Sequence, residues 1–348
     1  MINSIKTFRK YCLKIEKDIK RILQNENYIK IIINDLIILN LKIEKILFKN
    51  SKINPINTAY LEVKKIENKI KDLESIEVFV KKKLAKNNKF ELEKNHKFLF
   101  ENLWNKYSFD EYLKERIGRY KKRIKINKLN KILKNSKCID SGCGHGNFLI
   151  SCLLSGADYG FGLDYGNKSI EFAKKIQRKL KIPSKKLKYE IGSCYNIKAP
   201  SNYFDFGIQN GVFHHLENED KAYEEIKRVI KKDGYLWIYT DGGGGIRDIV
   251  WDMCQRSLSE TNNTMKLDII NNFGLTTNKQ YHLSDGLNAK YRHTTYEDMI
   301  KRLKFYGFYN FKKLKGGFPT DYDETSIKDH YFKEKFGSGD IRILCQKK

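Results

Sequence analysis

The sequence predicts an α/β fold carried behind an N-terminal α-helical extension. Three observations carry that expectation. Lys137-Cys-Ile-Asp-Ser-Gly-Cys-Gly-His-Gly-Asn-Phe-Leu-Ile150 reads as a strand, a tight glycine turn and the start of a helix. From there to the carboxyl end, short apolar runs alternate with helix-like segments. Before it, apolar and polar residues mix at helical spacing, with no strand-like alternation.

Taken in order, residues 1–49 read as helix, broken by Asn50-Ser-Lys-Ile-Asn-Pro55. A second helix is expected from about Thr58 to Lys86, with Leu61, Ile66, Ile70, Leu73 and Ile76 near heptad spacing. The two predict either an antiparallel hairpin or a pairing with another copy of the chain, so a homodimer through these helices is one expected partner. The chain has 348 residues and Lys+Arg 68 against Asp+Glu 42, a formal net charge of +26. The charge is concentrated early: residues 1–137 hold 35 basic and 16 acidic side chains, the remainder 33 and 26. Such a surface suits nucleic acid or anionic membrane as well. The joint abundance of Lys, Ile and Asn points instead to biased composition, and those two partners are not favoured. Seven cysteines without C-x-x-C pairs, and an amino terminus with charges but no long apolar core, point to a reducing cytoplasm. The most apolar run, Ile31–Leu41, is too short to span a bilayer.

His96–Trp104 is aromatic-rich. Ser108-Phe-Asp-Glu111 is a capping box that opens a helix expected to reach Leu133, apolar at Tyr112, Ile117, Tyr120 and Ile124 and charged at Arg116, Arg119 and Lys121–Arg123. Strand 1 then ends at Asp140, and Gly142, Gly144 and Gly146 follow at alternate positions. Glycines there let the backbone turn sharply and lie against a ligand, and the helix behind them offers unpaired N–H groups. A dinucleotide fingerprint needs G-x-G-x-x-G, and here the third glycine comes one residue early. Asp140, just before the turn, suits a ligand bearing an amino group.

The pattern D-x-G-C-G-x-G resembles motif I of the class I S-adenosylmethionine (SAM)-dependent methyltransferases. Strand 2, Tyr159–Leu163, ends in Asp164, placed to accept both ribose hydroxyls of a nucleoside, with Tyr165 leading into a helix. Strand 3, Lys188–Ile191, precedes Gly192-Ser193-Cys194; many members carry Asp where Ser193 stands, so the adenine contact expected there is a departure from the pattern. Strand 4, Phe204–Gln209, runs into Asn210-Gly-Val-Phe-His-His-Leu216, resembling motif IV and its sequel. A helix over 219–230, the turn Arg228-Val-Ile-Lys-Lys-Asp-Gly234 and strand 5, Tyr235–Tyr239, follow. Gly242–Gly245 predict a mobile loop at the end of strand 5. An insertion over about 241–304 is expected to shape the acceptor pocket, before strand 6 at Tyr309–Leu314 and strand 7 at Asp340–Gln346.

The resemblance implies a seven-stranded Rossmann-like sheet over 97–348 behind a basic extension over 1–96, with SAM as cofactor. It implies cofactor contacts from Asp140, Gly142, Cys143, Gly144, Gly146, Asp164, Tyr165, Ser193, Cys194 and Asn210. Methyl transfer to a hydroxyl also needs a base with a pKa near neutrality, for which His214, His215 and His293 are the candidates. No Cys/His set suggests a metal. The expected activity is methylation of a small-molecule, sugar or lipid-precursor acceptor. Two other readings stay open. One is an RNA or protein methyltransferase using the basic extension, against which Asn210-Gly-Val-Phe lacks the N/D-P-P-Y/F signature. The other is a non-catalytic coiled-coil assembly protein with a degenerate methyltransferase domain, against which the glycines and both acids are intact.

Overall fold

The computed structural model describes residues 4–49, 51–76, 97, 108–289, 291–318 and 320–348. The expected continuation of the second helix beyond Ile76, and the aromatic stretch 96–104 apart from Lys97, lie outside them. The chain divides into two compact units, each discontinuous in sequence. One comprises Met1–Leu99, Gly243–Lys290 and Lys328–Gly339; the other comprises Phe100–Gly242, Tyr291–Ile327 and Asp340–Lys348. This partition differs from a boundary at 96/97: the extension shares a unit with 243–290 and 328–339, and residues 291–304 belong with the sheet.

The sheet unit contains seven strands in the order β3-β2-β1-β4-β5-β7-β6. They are β1 (Lys137–Ser141), β2 (Tyr159–Asp164), β3 (Leu187–Ile191), β4 (Phe204–Asn210), β5 (Ile230–Asp241), β6 (Phe308–Lys313) and β7 (Asp340–Lys347). The first five pair in parallel, while β7 runs antiparallel between β5 and β6. Chain direction along the sheet reverses its order at β1, so β1 and β4 diverge at their carboxyl ends, where ligands bind in open α/β sheets. Strands buried on both faces explain continuous apolar runs such as Leu236-Trp237-Ile238, each fully buried. β5 begins at Ile230, inside the expected turn: Phe204 pairs with Ile230 and Phe206 with Tyr235, so Lys231–Gly234 bulge out of the ladder instead of preceding it.

The capping box at Ser108 forms as read, with the Ser108 N–H donated to Glu111 Oε2 (2.9 Å) and the Glu111 N–H to Ser108 Oγ (3.3 Å). The helix behind it is interrupted: Phe109–Glu111 passes into a π-helical segment, Tyr112–Ile117, then into Gly118–Ile126, and Asn130–Leu133 is a separate turn. Tyr112, Ile117, Tyr120 and Ile124 are all buried. Arg123, expected on the charged face, is also buried. Its guanidinium meets Asp321 at 2.5 Å, and Arg342 joins Asp321 (3.3 Å), Asp323 (3.3 Å) and Asp340 (2.7 Å). Buried charges of both signs, paired to one another, fasten the segment 315–326 to this helix and to β7.

The helical unit contains Ile5–Ile22, Glu26–Phe48, Pro55–Ile76, Ile246–Ser257, Asn263–Asn272, Thr277–Asn288 and Phe332–Phe336. The single helix expected over 1–49 is two, divided at Asn25, whose side chain accepts the Asn27 N–H (3.0 Å) and starts the second. Phe8, Cys12, Ile15, Ile19 and Ile22 form one buried stripe, and this helix packs on Ile246–Ser257 and on Pro55–Ile76. Long-range polar contacts join the same partners: Arg256 to Glu16 (2.9 Å), Asn40 to Cys254 Sγ (3.4 Å) and Lys279 to Glu44 (2.8 Å). The near-heptad residues Ile66, Ile70 and Leu73 are buried within the unit, leaving Leu61 exposed. Ile66, Ile70 and Leu73 of that apolar row are therefore covered inside the chain.

The four glycines after β5 are not a loose loop. A Cβ on Gly245 would lie 2.5 Å from the backbone of Lys335–Gly337, and one on Gly337 would lie 2.2 Å from the Gly243 oxygen. The Ser338 N–H also bonds the Gly243 oxygen (3.1 Å). Two backbone segments approach to contact distance there, and only glycine permits it.

Candidate active site

The glycine turn is built as the sequence implied. Gly142 and Cys143 donate their N–H groups to the Leu163 oxygen (2.8 and 2.9 Å), tying the turn to the end of β2. Gly146 has φ +73°, and a Cβ there would sit 1.9 Å from the Tyr189 hydroxyl, which donates to the Gly146 oxygen (3.2 Å). Gly144 also has positive φ, yet a Cβ on it would meet nothing within 4 Å, so its surface is open to a ligand.

Two carboxylates flank the turn. Asp164 accepts the Gly144 N–H at Oδ2 and the Gly166 N–H at Oδ1, both at 2.8 Å, which fixes the plane of its carboxylate. Asp140 is buried, and its Oδ1 has no hydrogen-bond partner. Burial, and then the charge of Asp164, push its carboxyl well above the usual carboxylate range. A buried acid oxygen without a partner is costly unless a cation or donor arrives to meet it.

The remaining cofactor candidates divide. Cys143 is buried, and burial holds its thiol well above the usual range, so it acts as a small neutral side chain. Tyr165 is exposed beside Asp164. The Ser193 hydroxyl accepts the Tyr195 N–H (3.2 Å), a local turn contact, and Cys194 is buried after it. Asn210 is held at both ends of its amide: Trp237 Nε1 donates to its Oδ1 (3.2 Å), and its Nδ2 donates to the Tyr120 hydroxyl (2.7 Å).

The three histidines lie in one cluster. His214 and His215 follow β4, and their rings are 4.1 Å apart. Tyr291 stacks on His214 (5.4 Å, 18°) and on His293 (5.8 Å, 5°) and meets His215 edge-on (4.6 Å, 62°). The Arg292 N–H donates to the His214 oxygen (3.1 Å), and Gly242 bridges to Thr294, which hold the 291–294 segment against the ends of β4 and β5. His214 Nδ1 lies 3.0 Å from Thr240 Oγ1 on β5. In the tautomer that donates Nδ1–H to Thr240, Nε2 is the basic nitrogen. Sequence reasoning missed Tyr291, Thr240 and Tyr120 as parts of the site. Tyr291 stands two residues before His293, in a segment already notable for polar and aromatic groups. Nothing local marks Thr240 or Tyr120, because their roles come from neighbours on other strands. Among the described residues, no group of three or more His, Cys, Asp or Glu could hold a metal ion.

Residues 132–276 match the family model of a methyltransferase domain. A curated relative described as ubiquinone biosynthesis O-methyltransferase, from Pelagibacter ubique (strain HTCC1062), is 33% identical over 129 residues, covering 37% of this chain and 50% of that protein. The chain thus spans about half the length of that relative. Among solved structures, a SAM-dependent methyltransferase of Thermotoga maritima is similar at 17% identity, TM-score 0.44, over 72% of this chain and 99% of the other. One of Methanococcus maripaludis is similar at 16% identity, TM-score 0.42, over 76% and 97%. The motifs, the sheet order and the family match together define a class I, Rossmann-like, SAM-dependent methyltransferase domain. The cofactor of that class is S-adenosylmethionine. The residues present fit it: the unpartnered Asp140 oxygen would meet its ammonium group, and the Asp164 carboxylate its ribose hydroxyls, beside the open surface of Gly144.

Proposed function

We propose that this protein methylates a hydroxyl oxygen of a small-molecule acceptor, with His214 as the general base. The observation that carries this reading is the cluster of His214, His215 and His293 around Tyr291, at the carboxyl ends of β4 and β5. Support for an oxygen acceptor comes also from the curated relative, whose name records O-methylation. When bound, the cofactor supplies the methyl group on a sulfonium, which departs as a neutral thioether. Asp140 and Asp164 hold the two ends of the cofactor so that its methyl stays in line with the acceptor. Thr240 fixes the His214 ring and its tautomer. His214 Nε2 removes the proton of the acceptor hydroxyl as the new carbon–oxygen bond forms. Tyr291 supports the rings of His214 and His293, which stack on it.

The test is steady-state methylation of a panel of catechols, alkyl amines and sugars, followed by release of S-adenosylhomocysteine. A catechol or other phenol should be the preferred acceptor. His214→Gln should lower kcat by about 10²–10⁴-fold and remove the loss of rate on acidification. An unchanged kcat in that variant would sink the assignment of His214, and preference for an amine would sink the oxygen acceptor.

A further inference from the structure

We propose that Gln209 is a positioning residue for the reaction: its amide sets the spacing between His214 and Thr240, and so holds the His214 ring in the tautomer that can act as a base. Its role rests on His214 being the base, as proposed above, and deepens that reading.

Gln209 is the next-to-last residue of β4 and is fully buried. A buried amide needs a partner of the right polarity at each end. Here the neighbours decide which end goes where. The Tyr239 backbone oxygen can only accept, and the Val212 and Phe213 N–H groups can only donate. Nε2 therefore donates to the Tyr239 oxygen (3.1 Å), and Oε1 accepts from Phe213 (2.8 Å) and Val212 (3.2 Å).

Both ends of that amide bear on His214. At the oxygen end lies the short 3₁₀ turn Phe213–His215, entered through Val212. The first N–H groups of a helical turn have no partner inside it, and the apolar Val212 side chain cannot supply one. Gln209 supplies it for the two residues immediately before His214. The far side of the same turn is closed by the His215 N–H, which donates to the Val212 oxygen (2.9 Å), so His214 is held between two fixed residues.

At the nitrogen end lies the Tyr239 oxygen, and the next residue along β5 is Thr240. That oxygen also accepts the Gly211 N–H (3.0 Å), which ties the exit of β4 to the same point. Thr240 Oγ1 is the atom 3.0 Å from His214 Nδ1. One side-chain amide therefore fastens the residue before each partner of the His214–Thr240 bond. Asn210, next in the chain, has its own amide engaged by Trp237 and Tyr120. A hydrogen bond weakens steeply as its partners separate or turn out of line. The bond at one ring nitrogen sets where the imidazole carries its proton. Loosening Gln209 should thus leave the cofactor acids in place and release the His214 tautomer.

The experiment is a long-range proton–nitrogen NMR spectrum of the full-length chain labelled with ¹⁵N-histidine, recorded at about pH 8, where an ordinary imidazole is neutral. Of the seven histidines, His214 is identified by the signals lost in His214→Gln. The parent should show a protonated Nδ1 and an unprotonated Nε2. Thr240→Val, which removes the partner, should average the two nitrogens. Gln209→Met keeps the length without the amide and should give the same averaged pattern. Gln209→Glu keeps both N–H bonds but turns an oxygen toward the Tyr239 oxygen, and should fall between Gln209→Met and the parent. Calorimetric affinity for S-adenosylmethionine should stay within about two-fold of the parent in all three variants. Circular dichroism checks the fold of each, and if Gln209→Met does not fold, Gln209→Glu decides. A parent-like His214 spectrum in the folded Gln209 variants would overturn the proposal. So would a spectrum lost together with cofactor affinity, which would make Gln209 a general support of the strand ends. A parent with Nε2 protonated would sink the base assigned to His214, and this role with it. A parent with the expected tautomer and no response to Gln209 would overturn the role of Gln209 alone.

Discussion

The two units of this protein are built by different logic. In the sheet unit β1 to β5 follow one another in one continuous segment, with β6 and β7 added from two later ones, and the central turn is a run of seven residues from Asp140 to Gly146. The helical unit is assembled from three segments, the first two of which lie more than a hundred residues apart, and its joints are pairs such as Glu16–Arg256 and Asn40–Cys254. The site chemistry follows the first pattern at the cofactor end, where the acids and glycines are local, and depends on distant chain segments at the histidines. A fold read from local signals is secure where function is local. It is blind where one face of a helix is covered by a helix far away in sequence.

The comparison is broken most severely by truncation. A fragment of residues 97–348 retains every cofactor residue but leaves Ile246–Ser257 without the helix Ile5–Ile22, whose Phe8, Cys12, Ile15, Ile19 and Ile22 are all buried. At about 1.5–3 kcal/mol per buried apolar side chain, the loss is on the order of 10 kcal/mol, as large as the stability of a whole domain. The fragment should aggregate or show reduced helical content by circular dichroism. A soluble, fully helical fragment with parent-like thermal stability would show that the helical unit does not depend on the extension.

Asp164→Ala tests the local half. It removes the acceptor of two backbone N–H bonds and, in the proposed cofactor pose, of the ribose hydroxyls, charge-assisted bonds worth about 1.5–3 kcal/mol each. Affinity for S-adenosylmethionine measured by calorimetry should fall ten-fold or more, and an unchanged dissociation constant would reduce Asp164 to a turn former.

Asp140 sharpens the comparison through pH. Its folded carboxyl is raised above its unfolded value, so the folded chain binds the proton more tightly than the unfolded chain does. Its effect on the ligand-free protein is therefore a loss of stability as pH rises from the unfolded carboxylate range through the raised folded value. An ammonium ligand reverses this by pairing with the charged form. Binding of S-adenosylmethionine should release a proton below that folded value, visible as an enthalpy that changes with the ionisation enthalpy of the buffer. Asp140→Asn should abolish that dependence, and a buffer-independent enthalpy in the parent would refute the role given to Asp140.

The smallest effect is expected in the helical unit. Lys266 is buried with only the Leu258 oxygen for its ammonium (3.1 Å), and burial lowers its pKa to about 7. A base lowered in the folded state costs stability as pH falls through the window from 10.5 to 7, because the unfolded chain takes the proton first. Lys266→Met should therefore raise the thermal midpoint by a few degrees at pH 7, and by less at pH 10. A lower midpoint at both pH values would show that the bond to Leu258 outweighs the buried charge.

The sequence by itself determined the glycine turn and the two acids that flank it. A strand ending in an acid, a turn that only glycine can follow, and a second acid at the next strand end are properties of residues that touch their neighbours in the chain. Strand positions were legible to within a residue or two for the same reason, except at β5, where a bulge admitted the expected turn into the strand. The capping box at Ser108 was legible because a cap is satisfied within three residues. Tertiary structure alone decided the rest. Arg123 reads as a surface charge until Asp321, 198 residues away, neutralises it in the interior. Four glycines read as a mobile loop until the backbone of 335–337 arrives against them. The near-heptad Ile66, Ile70 and Leu73 read equally as the seam of a hairpin or of a dimer, and it is helices of the same chain that bury them. Periodicity states that a face will be buried; it carries no information about what buries it, because the hydrophobic effect is non-directional and indifferent to sequence distance.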